Sequence, residues 1–341
     1  MKLYSNEVVF RGHPDKVCDQ ISDALLDAYL KGDKRSRCGI EVVGGKGKIF
    51  ITGEVTSRTN VDIESIVKRV FLDVGYNDNY EIINNIGLQS PDIALGTNED
   101  VGGAGDNGMM FGYASRDTDE LLPMAMVILQ KLSMRYDELR KKDNRFLPDG
   151  KAQITGIYDE KNKLVGIKTF TVCYQNREDD RGNTDKIIIE ICKSICDEYN
   201  IKIEEFLINP TGKFKIGGFE GDAGLTGRKI VVDTYQSFAP VGGGAFSGKD
   251  PSKVDRSGAY KAREIAKKIL LSNENYRWCQ VQLSYAIGKE KPLAIYIETD
   301  KGNIEVEDTL YEECKPRNII KDLGLLNKCY EERAKFGHFI K

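Results

Sequence analysis

The stretch "GGGAFSGKDPSKVDRS", residues 242–257, decides which kind of phosphate-binding fold this chain can have. Its glycines and Lys249 satisfy most of the P-loop pattern G-x-x-x-x-G-K-[ST]. Asp250, however, stands where that pattern needs a hydroxyl group to hold Mg²⁺. The strand-like run before the stretch also ends several residues before the glycines. The segment therefore disfavours a P-loop ATPase or kinase.

The same stretch remains a candidate anion site. Asp250 and Pro251 predict a helix start, with the aspartate as N-cap and the proline in the first turn. Lys249 and Lys253 flank that start, where backbone N–H groups and ammonium groups can bind phosphate. A capped surface helix with unpaired lysines explains this stretch equally well, so other segments must decide.

Composition and charge exclude several functional classes. The 341 residues are enough for two or three domains, and 50 basic against 53 acidic side chains give a net charge of -3. Without a basic excess, nucleic acid is not expected as a partner. The sequence has no apolar run of about 18 residues and no signal-peptide core at its start, so we expect no membrane span and a cytoplasmic location.

The eight cysteines predict reduced thiols. They are scattered without a C-x-x-C pair, as in cytosolic proteins. Cys192 and Cys196 share one helix face and could hold a metal, but the chain has only two histidines. We therefore expect packed thiols.

Strand-like and helix-like runs alternate along the chain, which predicts an α/β or α+β fold with several modest units. The strand-like runs are 48–56, 164–175, 229–235 and 294–299. The helical runs are 14–30, 60–73, 119–142, 184–199, 251–272 and 307–322. Polar, glycine-rich stretches at 89–103 and 217–227 are candidate domain boundaries. No convincing sequence repeat is visible, although three strand–helix units could hide divergent copies.

The sequence "GAGDNG" at 103–108 matches the dinucleotide pattern G-x-G-x-x-G. A Rossmann turn follows a strand directly, whereas acidic "TNEDVG" precedes this one. We therefore expect no Rossmann fold.

The segment "GHPDKVCDQISDALLDAYL" at 12–30 predicts a helix that begins at Pro14. Aspartates recur every four residues along it, at 15, 19, 23 and 27, and are most simply a solvated face. At the helix start, however, His13, Asp15 and Lys16 come together. A hard cation bridging this carboxylate to phosphate oxygens would suit such a group.

Cations accumulate beside glycine- and proline-rich loops, with carboxylates near them. The basic residues are Lys151, Arg228, Lys229, Lys249 and Lys253, and the acidic ones are Asp15, Asp222 and Asp255. Arg228 and Lys229 are expected to enter a strand. Since no Ser/His/Asp or Cys/His arrangement suggests a covalent nucleophile, we predict a metal–polyphosphate site where charge stabilisation supplies most of the catalysis.

Six segments together resemble the S-adenosylmethionine synthetase (methionine adenosyltransferase) family. They are "GHPDK" (12–16), "GAGDNGMMFGYA" (103–114), "INPTGKFKIGG" (208–218), "GDAGLTGRKIVVDTY" (221–235), residues 242–257 and "VQLSYAIG" (281–288). The resemblance runs from the start of the chain to "FGHF" (336–339).

The resemblance implies three similar β-α-β domains related by pseudo-threefold symmetry. We expect them at 1–100, 101–220 and 221–341, with crossing between domains allowed at the boundaries. It also implies a homodimer or dimer of dimers with active sites at the subunit interface. The implied reaction joins ATP and L-methionine, then hydrolyses the released triphosphate to pyrophosphate and phosphate. Two Mg²⁺ ions per site and K⁺ are the implied cofactors.

Residue roles follow from the resemblance by motif position. His13 would assist the leaving oxygen, Asp15 and Asp255 would bind Mg²⁺, and Glu41 would bind K⁺. The residues holding ATP and its phosphates would be His13, Asp106, Lys151, Phe214, Arg228, Lys229, Ser247, Lys249, Lys253 and Ile287. The residues positioning methionine would be Glu54, Gln89, Asp222 and Lys253, with Asp106 contacting methionine or the nucleoside.

Several positions depart from the family pattern. Arg11 replaces a glutamate, Asn107 a glutamine and Lys213 an arginine, and 173–176 differs from the usual adenine-side segment. The loop before "GAGDNG" is also shorter than expected. The triphosphate residues remain, so we expect catalysis to survive with altered base selectivity, loop gating or product inhibition. A non-catalytic regulatory subunit is the alternative.

Overall fold

The structure is a computed structural model, and it describes residues 1–77, 79–89, 102–177 and 182–340. The strands are β1 (Lys2–Val9), β2 (Arg37–Gly45), β3 (Lys48–Thr56), β4 (Glu81–Gly87), β5 (Gly108–Ser115), β6 (Phe146–Tyr158), β7 (Leu164–Asn176), β8 (Ile203–Ile208), β9 (Gly224–Leu225), β10 (Trp278–Tyr285), β11 (Ala294–Thr299) and β12 (Gly302–Asn303). The helices are α1 (Pro14–Gly32), α2 (Ile63–Val74), α3 (Met124–Lys142), α4 (Gly182–Asp197), α5 (Gly218–Gly221), α6 (Ile230–Asp233), α7 (Val254–Ser272), α8 (Asp308–Glu313), α9 (Pro316–Asp322) and α10 (Tyr330–Ala334).

Three units repeat one plan. Each begins with a 19-residue helix, α1, α3 or α7, which is followed by an antiparallel hairpin. In the first two units a helix then leads to a strand that pairs in parallel with the second hairpin strand. The third unit has the short antiparallel β12 at that place. These are the divergent copies that the sequence could hide, and the predicted fold class is confirmed.

The units exchange strands in a cycle. The sheets have the orders β4-β3-β2-β9, β1-β6-β7-β8 and β12-β11-β10-β5. Thus β1, which precedes the first unit, pairs with the second; β5, which precedes the second, pairs with the third; and β9, which precedes the third, pairs with the first. The chain crosses between sheets at each junction. The candidate boundary at 89–103 falls mainly on 90–101, outside the described residues, so the predicted domain limits stay a prediction.

The buried apolar residues form two large cores. One joins the first and third units, and includes residues from α1, β2, α7 and β10. The other lies within the second unit, between its sheet and the helices α3 and α4. All eight cysteines are free, and Cys192 and Cys196 are buried in the second core, as predicted. No helix in the described part of the chain is both long and apolar enough to cross a membrane.

Two local predictions were wrong, the first because tertiary contacts outweighed local propensity. The run 229–235 contains the helical turn α6 and no strand: the N–H of Asp233 donates to Lys229 O at 2.8 Å, and the Asp233 carboxylate meets Lys16 Nζ at 2.5 Å. The predicted helix over 307–322 is two helices, because Pro316 starts a new one.

The prediction that Asp250 caps α7 was also wrong. The helix begins at Val254, with Lys253 at the N-cap position. The Asp250 carboxylate instead accepts hydrogen bonds from the N–H groups of Cys38, at 2.8 Å, and Ser252, at 2.9 Å. It therefore ties the turn before α7 to β2.

The "GAGDNG" segment is not a Rossmann turn. It leads into β5, an antiparallel strand, where a dinucleotide fold would place a helix. The prediction from the acidic residues before it is confirmed.

Candidate active site

A cleft of about 450 Å³ lies between the first and third units. Its walls are the hairpin β2–β3, the loop before β5, the loop 242–250 and the start of α7. The site residues predicted from sequence that line it are Glu41, Glu54, Asp106, Ser247, Lys249, Lys253, Asp255 and Ile287. These residues are spread over nearly 250 positions of the chain, and only the fold brings them together.

The hairpin supplies the carboxylates of one wall. Glu41 lies opposite Thr52, and Gly39 lies opposite Glu54, so strand alternation places both glutamates on one face. Gly53 has φ 115°, and a Cβ there would lie 1.9 Å from Gly39 O. Glycine is therefore required at 53 for the two strands to approach so closely.

The loop 242–250 lies along β2 like an additional edge strand. Ile40 N donates to Gly248 O, and Asp250 N donates to Cys38 O, both at 3.1 Å. Gly248 has φ 81°, and a Cβ there would come within 1.9 Å of Ile40 O. The loop can take this path only with glycine at 248.

Two largely buried lysine side chains line the cleft. Lys249 Nζ is 2.5 Å from Asp255 Oδ2, while Lys253 Nζ is 3.7 Å from Glu54 Oε1. Their side chains are 21% and 11% exposed, so water screens their charges less than at an open surface. Ser247 Oγ is buried and has no hydrogen-bond partner in the described part of the chain. Together these donors can hold a multiply charged anion.

A second group of predicted residues surrounds the start of α1. Asp15 Oδ1 accepts the N–H of Leu225 at 2.9 Å, and its Oδ2 forms an ion pair with Lys229. Arg228 Nε lies 3.6 Å from Asp15 Oδ1. Lys151 is held by Glu7, with 2.6 Å between Nζ and Oε2.

His13 is neutral at physiological pH. Burial lowers its pKa to about 4, with the charge of Lys229 adding to the effect, although Asp15 opposes it. Nδ1 accepts the N–H of Asp15 at 3.2 Å. The proton of the neutral ring therefore lies on Nε2, which can donate a hydrogen bond.

The aspartate stripe of α1 holds both groups in place, so the prediction of a solvated face was wrong. Asp15, Asp19 and Asp23 are buried, and each accepts a backbone N–H from a segment distant in the chain. The donors are Leu225 to Asp15, Gly227 to Asp19 and Gly248 to Asp23, each at 2.9 Å. Asp15 and Asp23 are eight residues apart, or about 12 Å along a helix. One helix thus positions the loops on which both groups depend.

The remaining predicted residues lie around these groups. Asp222 is exposed and raises the pKa of His13, which places it near the second group. Gln89 follows β4 two residues after Gly87, the partner of Glu54. Phe214 lies beside the end of β7, where its carbonyl accepts Asn176 N at 2.8 Å. Within the described residues, neither Gln89 nor Phe214 lines the cleft.

The residues that support the site could not be recognised from sequence patterns. Arg256 and Asp23 form a fully buried ion pair, with 2.6 Å between Nη2 and Oδ2. Arg256 also donates to Lys249 O at 3.1 Å. The spacing of the aspartates on α1 was the available signal, because glycine loops elsewhere in the chain could supply N–H donors.

The donor set would suit a divalent cation that also binds substrate phosphates. Within the described residues no three His, Cys, Asp or Glu side chains form a metal cluster. Mg²⁺ typically takes one or two carboxylates and completes its shell with water and substrate phosphates. Asp15 and Asp255 each offer one carboxylate beside lysines. The backbone of Gly244 packs directly against the Asp255 carboxylate, because a Cβ at Gly244 would lie 2.2 Å from Asp255 Oδ1.

Comparison with known proteins covers almost the whole chain. Three family models match: S-adenosylmethionine synthetase, N-terminal domain, over 1–91; central domain, over 101–214; and C-terminal domain, over 216–341. The S-adenosylmethionine synthase of Clostridium tetani is 43% identical, covering 99% of this chain and 94% of its own. Those of Petrotoga mobilis and Fusobacterium nucleatum are 41% and 43% identical, covering 99% and 98% of this chain and 93% and 92% of theirs.

Proposed function

The chain belongs to the S-adenosylmethionine synthetase family and is a methionine adenosyltransferase, and from this premise we propose how its residues act. The methionine sulfur attacks C5′ of ATP, forming the S–C5′ bond and breaking the C5′–O5′ bond. Triphosphate leaves intact and is then hydrolysed to pyrophosphate and phosphate. The observation that carries this proposal is the cleft in which Ser247, Lys249, Lys253 and Asp255 converge.

The protein needs no general base for the first step. A thioether sulfur carries no proton to remove, so the main catalytic task is to stabilise the negative charge that develops on the leaving triphosphate. Lys249 and Lys253 are placed for this in the cleft, while Lys151, Arg228 and Lys229 supply further positive charge near the start of α1. Hydrogen bonds to charged groups contribute about 1.5–3 kcal/mol each. Several of them account for a large part of a barrier reduction of about 8–23 kcal/mol.

His13 acts as a neutral donor at the leaving oxygen. Its Nε2–H can donate to the oxygen that separates from C5′, and the backbone N–H of Asp15 holds the ring through Nδ1. Because its pKa is about 4, the ring contributes a hydrogen bond and no formal charge at neutral pH.

We assign two Mg²⁺ ions to Asp15 and Asp255, and K⁺ to Glu41. When bound, the divalent ions neutralise phosphate charge. The protein's part is to keep the two carboxylates apart and each beside a lysine, as the pairs Asp15–Lys229 and Asp255–Lys249 do. ATP phosphates would bind Lys151, Arg228 and Lys229, while Phe214 and Ile287 would pack near adenine. Methionine would contact Glu54, Gln89, Asp222 and Lys253, and Asp106 would contact methionine or the nucleoside.

We also propose a homodimer, or a dimer of dimers, with the active site completed between subunits and domains at about 1–100, 101–220 and 221–341. Large apolar side chains exposed on strands support association through sheets. On the second unit's sheet these are Leu3, Val165 and Leu207, and on the third unit's sheet Met109 and Tyr296. Phe214, outside the cleft of its own chain, would be free to serve the partner's site.

Product analysis tests the activity. With ATP, Mg²⁺ and methionine, we expect S-adenosylmethionine, pyrophosphate and phosphate by mass spectrometry and phosphorus NMR, and no product after chelation of Mg²⁺. ADP as product would indicate a kinase or ATPase. An absence of turnover would favour a regulatory subunit, although the retained charged residues argue against it.

Base selectivity should differ from that of relatives with the usual glutamine. Asn107 Oδ1 accepts the N–H of Ile287 at 2.9 Å, so this side chain sets the position of a residue proposed near adenine. We expect measurable turnover of GTP or CTP, and a stronger preference for ATP in Asn107→Gln, because the longer side chain displaces that contact. The measurement is kcat/KM for the three nucleotides. Asn275→Gln, in an exposed turn, is the control, and an unaltered ATP preference in Asn107→Gln contradicts the assignment.

A further inference from the structure

A second cavity, of about 330 Å³, lies between α7 and the C-terminal end of the chain. One stripe of α7, including Tyr260, Arg263 and Lys267, forms one wall. The segment after α9, together with Arg333 and Phe339, forms the other. This cavity shares no lining residue with the catalytic cleft.

Basic side chains outnumber acidic ones in the lining of this cavity. The lining includes five basic residues and a single acidic one, Glu264, which pairs with Lys268 at 2.6 Å. Within the described residues, Arg263, Lys328 and Arg333 have no carboxylate at ion-pair distance. Arg263 donates to the carbonyls of Tyr113 and Leu121, at 2.6 and 3.0 Å, which leaves its charge unneutralised. Such a local excess attracts anions.

The remaining lining is apolar and aromatic. Tyr260 and Phe339 pack edge to face with ring centroids 5.8 Å apart, and Leu323 and Leu325 complete this side. Arg333 lies over the Tyr260 ring at 5.5 Å. A few polar groups on apolar walls are typical of a small-molecule site, and the volume is at the small end for one.

Two lining residues of this cavity contact the loop 242–250, which carries Ser247 and Lys249. Tyr260 Oη and His338 Nδ1 are 2.9 Å apart, and both rings pack against Phe246, with centroid distances of 6.0 and 4.9 Å. Phe246 immediately precedes Ser247, which lines the cleft. Tyr260 and His338 therefore pack directly against the loop that carries Lys249.

We propose that this cavity is an effector site for a small organic anion, whose carboxylate or phosphate faces Lys328 and Arg333 and whose apolar body packs on Tyr260 and Phe339. Binding of the anion shifts the packing of Tyr260 and His338 against Phe246 and thereby changes catalysis in the cleft. Binding at this site requires no turnover, so it can be tested separately from the proposed reaction.

Calorimetric titration of the full-length protein with phenyl phosphate tests binding. Phenol lacks the charge and inorganic phosphate lacks the apolar body, so we expect both to bind at least tenfold more weakly. Lys328→Glu, at an exposed position, should weaken phenyl phosphate binding about tenfold, and Arg333→Gln should do the same, since each removes a charged contact. Lys249→Ala should leave it unchanged. Equal binding by wild type and Lys328→Glu, or loss of binding only in Lys249→Ala, overturns the proposal.

Steady-state kinetics test the effect on catalysis. At saturating phenyl phosphate, we expect kcat or the KM for ATP to shift at least twofold in the wild type and to stay constant in Lys328→Glu. A shift of the same size in Lys328→Glu would mean that the probe acts in the catalytic cleft. An unchanged wild type would overturn the effector role.

Discussion

Replacing Asp23 by asparagine should lower the free energy of unfolding by about 3–5 kcal/mol, the cost of removing one partner from a buried ion pair. Asp23 and Arg256 are both fully buried, and Arg256 lies over the Tyr330 ring at 4.2 Å. The asparagine keeps an oxygen for the N–H of Gly248 but leaves the guanidinium charge unpaired in the core. The measurement is urea unfolding followed by the fluorescence of Trp278, the single tryptophan, at matched protein concentrations.

Two further variants test whether the loss of stability comes from the buried ion pair or from the removal of any charged side chain. Glu64→Gln removes an exposed helical ion pair with Lys68 and should cost less than about 0.5 kcal/mol. Asp23→Ala combined with Arg256→Met should recover much of the loss, because apolar residues can replace a buried ion pair at little cost. If Asp23→Asn were as mild as Glu64→Gln, the pair would not hold α1 to the loop 242–250.

The three long helices could be predicted from sequence because their apolar residues repeat with helical period. The runs 14–30, 119–142 and 251–272 correspond to α1, α3 and α7. The cyclic exchange of β1, β5 and β9 could not be predicted in the same way. Strand pairing depends on partners more than a hundred residues away, and β9 has only two residues.

The candidate site, like the fold, could be predicted from sequence only in part. Lysines beside glycine loops indicated a polyphosphate site, because local chemistry identifies cations and flexible backbone. The structure brings Glu41, Glu54 and Lys249 to one cleft by joining two units, which no local pattern contains. The aspartates of α1 show the limit most clearly. A four-residue period is most simply a solvated face, but a buried anchoring face has the same period, and only the distant N–H donors distinguish the two.

Replacing Lys249 by alanine should lower kcat by about 10²–10³-fold, the typical cost of losing one preorganised donor to a developing anion. The ammonium group is 21% exposed and faces the cleft beside Asp255. Truncation removes a positive charge where triphosphate separates. The effect should therefore appear in kcat.

The controls distinguish catalysis from folding. Lys48→Ala removes an exposed lysine paired with Glu81 and should leave kcat within twofold of wild type. Lys249→Arg keeps the positive charge but replaces the compact ammonium group with a planar guanidinium. Its kcat should therefore lie between those of Lys249→Ala and the wild type. A kcat for Lys249→Ala within twofold of wild type, as expected for Lys48→Ala, would mean that the stabilisation of the leaving triphosphate comes from other groups.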